Sequence, residues 1–249
     1  RPPRSTLSSS SAASDVYMRQ ANRFLPQPLK DKGLKIHGSN LCNEIHLPTS
    51  AERTAVCCLS SLNLEYYDAW SRQPLFLKDV AEMLDNVLTF FIDNAPDEVS
   101  RAKFSASQER SIGVGALGFH AYLQKNGLAW ESNEAKGANL RMFRHIRSKL
   151  DEANISLGKE RGEAPDAEGT GYRFSHLMAI APNASSSIIM GNTSPSIEPW
   201  RANAYRQDTL SGAVSYTHLR AHETPEHRGF RRRREKKKGG GGGGGGGGG

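Results

Sequence analysis

The sequence predicts an α/β protein, and three observations carry that expectation. Between positions 77 and 94, Leu77, Val80, Leu84, Val87, Leu88 and Phe91 recur at three- and four-residue spacing, the pattern of a helix with one apolar face. From 137 to 161 the same spacing joins Leu140, Phe143, Ile146, Leu150, Ala153 and Leu157, with basic residues opposite. Two apolar stretches, residues 34–47 and 56–64, supply extended segments.

In chain order, residues 1–14 are rich in Ser, Pro and Ala, lack periodicity and form a low-complexity lead. Pro26, Pro28 and Gly33 mark turns before the first extended segment, and Pro48-Thr49-Ser50 ends it. The continuous apolar character of 56–64 predicts a strand buried on both sides. Within it, Cys57 and Cys58 must face opposite ways, and Cys58 reads as a small core residue. Pro96 stops the first long helix. Gly113-Val114-Gly115-Ala116-Leu117-Gly118 is formally a Gly-x-Gly-x-x-Gly, which for a dinucleotide would need a strand immediately before it. The preceding Ser107-Gln108-Glu109-Arg110 is polar and turn-like, so these glycines are expected to open a closely packed helix instead. After the second long helix, Gly162, Pro165 and Gly169 punctuate a loop. Residues 179–192 then run from an apolar strand end through Pro182 into Asn183, Ala184, Ser185, Ser186 and Ser187. Free backbone N–H groups and Ser hydroxyls at such a helix start suit an anion, although a Ser cluster also serves as an ordinary N-cap.

Charge narrows the choice of partners. The chain carries 33 Lys and Arg against 26 Asp and Glu, a net charge of +7. Nine Lys or Arg and three Glu lie in residues 214–249, so that segment supplies +6 and the remainder +1. It has almost no apolar content and ends in eleven glycines, a composition that cannot bury a core. Residues 214–224 look like the translation of a transposase sequencing adapter, and the terminal glycines look like read-through of a homopolymer. The domain division is therefore a lead (1–14), a folded part (15–213) and a disordered basic tail (214–249), and nucleic acid is not the expected partner. Binding of nucleic acid by the run Arg231 to Lys238 is the alternative function. His222-Glu223-Thr224-Pro225-Glu226-His227 resembles a zinc-protease motif, but the spacing is wrong and Pro225 breaks the required helix, so no metal site is expected. Three cysteines, Cys42, Cys57 and Cys58, form no disulfide framework and suit a reducing compartment, hence the cytoplasm. No apolar run is long enough to span a membrane.

The chemistry centres on Ser39-Asn40-Leu41-Cys42-Asn43-Glu44-Ile45. Read as extended backbone, Asn40, Cys42 and Glu44 project to one face and unite an amide, a thiol and a carboxylate. His37 and His46 lie at odd spacing from Cys42 and face the other way, so a hydrolytic Cys–His pair is not indicated. A thiol beside a carboxylate suggests radical chemistry.

This run resembles the finger loop of the large catalytic subunit of ribonucleoside-diphosphate reductase, and residues 182–212, with Ser194-Pro195-Ser196-Ile197-Glu198-Pro199 among them, resemble the loop of that family that holds the substrate diphosphate. The resemblance covers roughly residues 20–213 and only a middle portion of a longer subunit. It implies part of a ten-stranded α/β barrel threaded by the finger loop. It also implies reduction of ribonucleoside diphosphates to deoxyribonucleotides, with Cys42 as the thiyl radical, Glu44 as base, and Asn40, with Ser39, on the substrate hydroxyls. Cys57 becomes one of a redox pair whose partner cysteine lies outside this sequence. Pro182, Asn183, Ala184, Ser185, Ser186 and Ser187 would hold the phosphates, with Arg201 and Arg206 further candidates. The implied partners are a ribonucleoside diphosphate, a small radical-generating subunit containing metal, a second large subunit, and thioredoxin or glutaredoxin as reductant. No cofactor is expected in this chain, and ATP or dNTP effectors would bind outside it. Cobalamin-dependent reductases share the Asn-x-Cys-x-Glu loop, while residues 182–212 look closer to the aerobic two-subunit type.

Overall fold

A computed structural model describes residues 17–200, 202, 204–209 and 212–217. The lead at 1–14, Arg201 and the tail from 218 onward, with its Arg/Lys run, lie outside the described residues. Helix α1 (residues 17–24) and the short α2 (Gln27–Asp31) precede the finger segment. They close a small apolar cluster of Leu25, Leu29 and Ile36. Strand β1 (Cys58–Asn63) follows, then α3 (Tyr67–Trp70), α4 (Phe76–Asn94), α5 (Ser100–Glu109), β2 (Ile112–Leu117), α6 (Phe119–Lys125) and α7 (Asn133–Arg161). The described residues end in α8 (Ala184–Ile189) and an antiparallel hairpin, β3 (Ala204–Thr209) with β4 (Gly212–Thr217). Residues 214–217 of that hairpin fall in the segment assigned above to the tail.

Strands β1 and β2 pair in parallel, Cys58 opposite Ile112 through Asn63 opposite Leu117. Side chains alternate across such a pair, and the two faces here do different work. Leu62, Ile112, Val114 and Ala116 enter the main core with Leu77, Ala81 and Leu84 of α4 and Met142, Ile146, Leu150 and Leu157 of α7. The opposite face carries Cys57, Leu59, Ser61, Gly113 and Gly115, and residue 179 lies against it. The expected strand at 56–64 is present in shortened form. It is not buried on both sides, because Leu59 is 41% exposed on the second face.

Only the last glycine of the run, Gly118 (φ 80°), opens a helix, as the N-cap of α6; the rest of the run does not. It is the fully buried strand β2, with β-branched Ile112 and Val114 on the core face and glycine on the other. A Cβ at Gly115 would come within 2.3 Å of the Ala179 carbonyl oxygen, and one at Gly113 within 2.4 Å of Leu59 Cδ2. The absent side chains let residue 179 lie directly on the strand.

Both long helices form where periodicity places them, with adjusted faces. Helix α4 buries Leu77, Ala81, Leu84 and Leu88, whereas Val87 is 52% exposed. It ends at Asn94 because Ala95, preceding Pro96, is held extended (φ −64°, ψ 140°). Helix α7 begins four residues earlier than expected, capped by the Ser132 hydroxyl, which accepts from the Ala135 N–H at 3.0 Å. Its buried stripe runs through Ala135, Ala138, Met142, Ile146, Leu150, Ala153 and Leu157, and Leu140 is 55% exposed. No helix among the described residues is long and apolar enough to cross a membrane.

A buried ionic cluster fixes α4 to β2. Asp85, fully buried, accepts from Arg110 (2.6 Å), Arg161 (2.9 Å) and Arg173 (3.1 Å). Burial opposes ionisation of Asp85, but hydrogen bonds and charge from Arg110 and Arg173 outweigh it and hold the carboxyl below its ordinary range. Arg110 itself occupies the left-handed region (φ 46°) at the end of α5, a costly conformation for a non-glycine residue.

Candidate active site

The finger segment is a turn, which corrects the extended reading of 34–47. Asn43 N–H donates to Asn40 O at 3.2 Å, Asn43 has φ 60°, and the Asn40 side-chain oxygen accepts from Ile45 N–H at 3.3 Å. Asparagine favours such turns because its amide can bond its own backbone and it tolerates positive φ. Asn40, Cys42 and Glu44 therefore do not share one face by strand alternation. The turn instead lifts Leu41 and Cys42 to an exposed tip beside the likewise exposed Ser39 and Asn40.

Below the tip, the chain returns into the protein. Ile45 and Leu47 pack with Ala179 and the half-buried Cys57 in a small apolar cluster. That contact brings together the finger, the start of β1 and the segment leading to α8. Glu44 is half-buried at the neck of the finger, and its Oε2 is buried with no hydrogen-bond partner among the described residues. Burial, reinforced by Cys58, Glu109 and Glu44, pushes the Cys57 thiol far above its ordinary pKa, so it is protonated at neutral pH. Cys58 packs against the main core on the other face, as the alternation of a strand requires.

Behind Cys57 sits an ionic group that composition and spacing did not point to. Arg53 forks onto Asp166 (2.6 and 3.2 Å) and approaches Glu109 at 3.6 Å. Glu109 also accepts from Ser105 and Ser111, each at 3.3 Å. Burial raises Glu109 to about 7, with Arg53 opposing and Asp166 reinforcing. Nearby, burial pushes His176 down to about 4, leaving it neutral between the Ser111 and Ser175 hydroxyls at 3.2 Å each.

The Glu109 shift has a stability consequence. Its folded-state pKa lies above the ordinary 4.5, so the folded chain holds this proton more tightly than the unfolded chain. Stability is therefore expected to fall as pH rises from about 4.5 to about 7 and then to level off, by at most roughly 3 kcal/mol. Unfolding of the full-length subunit at pH 5 and pH 8 checks this, with Glu109→Gln expected to flatten the dependence. An equally steep fall in the variant would assign the proton elsewhere.

The second candidate segment lies at the carboxyl ends of β1 and β2. Asn183 (φ 55°) precedes α8. Its side chain is committed within the chain, donating to Ala116 O at 3.2 Å and Ala181 O at 2.9 Å and accepting from Ser61 at 3.0 Å. Ser187 is buried, and its hydroxyl donates back to Ala184 O at 3.0 Å. Pro182, Ala184, Ser185 and Ser186 are exposed. The first N–H groups of α8, on Ala184, Ser185 and Ser186, have no acceptor within the helix. Two hydroxyls and three such N–H groups thus belong to exposed residues of this turn. Arg206 lies on β3. Among the described residues, no three His, Cys, Asp or Glu side chains gather as a metal site.

A family model for the ribonucleotide reductase barrel domain matches residues 12–170 and 165–239. The chain belongs to this family. It is 58% identical over 206 residues to the ribonucleoside-diphosphate reductase large subunit of Invertebrate iridescent virus 3, covering 82% of this chain and 33% of that protein. Identity to the corresponding subunit of Invertebrate iridescent virus 6 is 63% over 172 residues, 69% of this chain and 18% of the relative. The putative large subunit of Frog virus 3 is 52% identical over 200 residues, 79% of this chain and 35% of the relative. Among solved structures, the Actinobacillus ureae class Id ribonucleotide reductase alpha subunit aligns with a TM-score of 0.73 at 36% identity, over 89% of this chain and 39% of that one. The chain thus spans roughly a third or less of the length of these viral relatives. The described residues are an α/β portion of the reductase barrel domain, in which the parallel β1–β2 pair carries the candidate site on one face and the core on the other.

Proposed function

We propose that this chain is the part of a ribonucleoside-diphosphate reductase large subunit that carries out thiyl-radical reduction of the ribose. The observation that carries the reading is the pairing of an exposed thiol at the finger tip, Cys42, with a carboxylate two residues on, Glu44, one of whose oxygens is buried without a partner among the described residues. A buried, unsatisfied carboxylate oxygen is costly and needs a donor; the 3′-hydroxyl of a bound ribose would be that donor. A radical delivered to Cys42 by a separate radical-generating subunit takes the 3′ hydrogen atom, and Glu44 takes the 3′-hydroxyl proton. The 2′-hydroxyl leaves as water, with Asn40 and Ser39 holding the hydroxyls. Cys57 and a second cysteine give up two electrons and two protons and end as a disulfide, one proton leaving with the 2′-hydroxyl as water and the other ending on C2′; Glu44 returns its proton to the 3′ oxygen, and Cys42 returns its hydrogen atom to C3′. The protonated state of Cys57 suits a thiol that must give up hydrogen. The outward N–H groups and hydroxyls of Ala184, Ser185 and Ser186 support binding of the diphosphate there. Homodimerisation, re-reduction by thioredoxin or glutaredoxin, and a cytoplasmic setting complete the proposal.

Hydrogen exchange of the full-length subunit with and without a ribonucleoside diphosphate tests the placement. Slowed exchange is expected at residues 40–45 and at 183–187. The same nucleoside without phosphate is expected to protect the first stretch and leave the second unchanged. Protection confined to other regions would overturn the reading.

A further inference from the structure

The loop that follows α8 is held by a set of buried bonds. Thr193 is 2% exposed, and its hydroxyl donates to Glu65 Oε2 at 2.8 Å; Glu65 is itself 6% exposed. Thr193 N–H donates to Ser187 O at 3.0 Å, closing the loop on α8. The next residue, the fully buried Ser194, accepts twice: from Gly118 N–H at its carbonyl (2.7 Å) and from Ala121 N–H at its hydroxyl (3.0 Å). Asn63, the last residue of β1, caps the turn carrying Glu65 through Glu65 N–H at 3.0 Å and donates to Met190 O at 3.4 Å. Gly118 (φ +80°) makes room for all of this, since a Cβ there would lie 2.5 Å from Asn63 Oδ1 and 2.9 Å from Thr193 Oγ1. The near end of the loop is fastened separately, through Asn183 to Ser61 and Ala116. Ser185 and Ser186, exposed, stand between the two fastenings.

We infer that Glu65, acting through the Thr193 hydroxyl, is a positioning residue that fixes the far end of the diphosphate-binding loop against the carboxyl ends of β1 and β2. The inference rests on the reading of residues 183–187 as that loop. A hydroxyl-to-carboxylate bond in a buried site is among the stronger ones available to a neutral donor. Its loss frees the segment between Ser187 and Ser194 to shift, and small displacements of binding groups are expensive in a site that must match its ligand.

The test uses the full-length subunit with its radical-generating partner. Thr193→Val is expected to raise KM for a ribonucleoside diphosphate roughly tenfold with a much smaller change in kcat, and Thr193→Ser to restore it. Glu65→Gln, which keeps an acceptor and removes the charge, is expected to stay within about twofold of the parent and serves if Thr193→Val does not fold, alongside Glu65→Ala, which is expected to reproduce the loss. Binding of the ribonucleoside lacking phosphate is expected to be the same in all of them. If Ser185→Ala and Ser186→Ala together weaken diphosphate binding while Thr193→Val and Glu65→Ala do not, the positioning role is wrong and the phosphate loop stands. If none of these variants distinguishes diphosphate from nucleoside, the loop reading fails and takes the inference with it.

Discussion

Cys42→Ser in the full-length subunit is expected to abolish deoxynucleotide formation while leaving ribonucleoside diphosphate binding intact. The step assigned to Cys42 is reversible transfer of a hydrogen atom, which sulfur can perform and a serine hydroxyl cannot, because its O–H bond is far stronger than S–H. The substitution is conservative in every other respect. Cys42 stands exposed at the tip of a turn, and the bonds that shape the turn belong to Asn40, Asn43 and Ile45. Folding and substrate affinity should therefore be indifferent to it, in keeping with the small effect of surface substitutions away from special features. Turnover measured with the radical-generating partner, together with equilibrium binding of the substrate, separates the two. Retained turnover would remove Cys42 from the mechanism.

Asp85→Ala is expected to have the largest effect on stability, about 3–5 kcal/mol. The carboxylate is fully buried and neutralises guanidinium groups arriving from three places: the turn before β2, the end of α7, and the loop after it. Without it, Arg110, Arg161 and Arg173 confront one another, and Arg110 loses the bonds that keep it at positive φ. Arg161 can swing outward, since its side chain is 30% exposed, whereas Arg110 at 9% cannot. The damage should therefore concentrate in β2, where hydrogen exchange in the full-length subunit would accelerate first. A loss under about 1 kcal/mol would mean that the arginines find water easily, and that the cluster contributes as little as an exposed ion pair.

Helices α4 and α7 were legible in the sequence because they depend on local periodicity, although Val87 and Leu140 turn outward and α7 starts four residues early; α5, which ends in the polar Ser107-Gln108-Glu109 read as a turn, was not. Strand β2 was not legible as a strand. Its period-two signal, Ile112, Val114 and Ala116, is interleaved with glycines that look like turn formers until Ala179 is seen lying across them. The finger was read as extended because the apolar residues suggested a strand, although Asn40 and Asn43 at its centre carried a turn signal that outweighed them. Cys42, Glu44, Cys57 and residues 182–187 came from motif resemblance. The bond between Glu65 and Thr193 had no such route, because its partners are 128 positions apart and neither residue type is distinctive. Burial was likewise needed to single out Glu109 and Arg53, two of many charged residues in the sequence.

The division of β1 into a chemical face and a core face places one sulfur on each side of a single peptide unit. Parity alone keeps Cys57 with the finger and Cys58 with the core, and a frame shift of one residue in the pairing would exchange them along with every other side chain of the strand. Between Cys57 and Asn63 a single inserted or deleted residue would put Leu62 into the site or Ser61 into the apolar interior. That segment can change its letters over evolutionary time much more readily than its count.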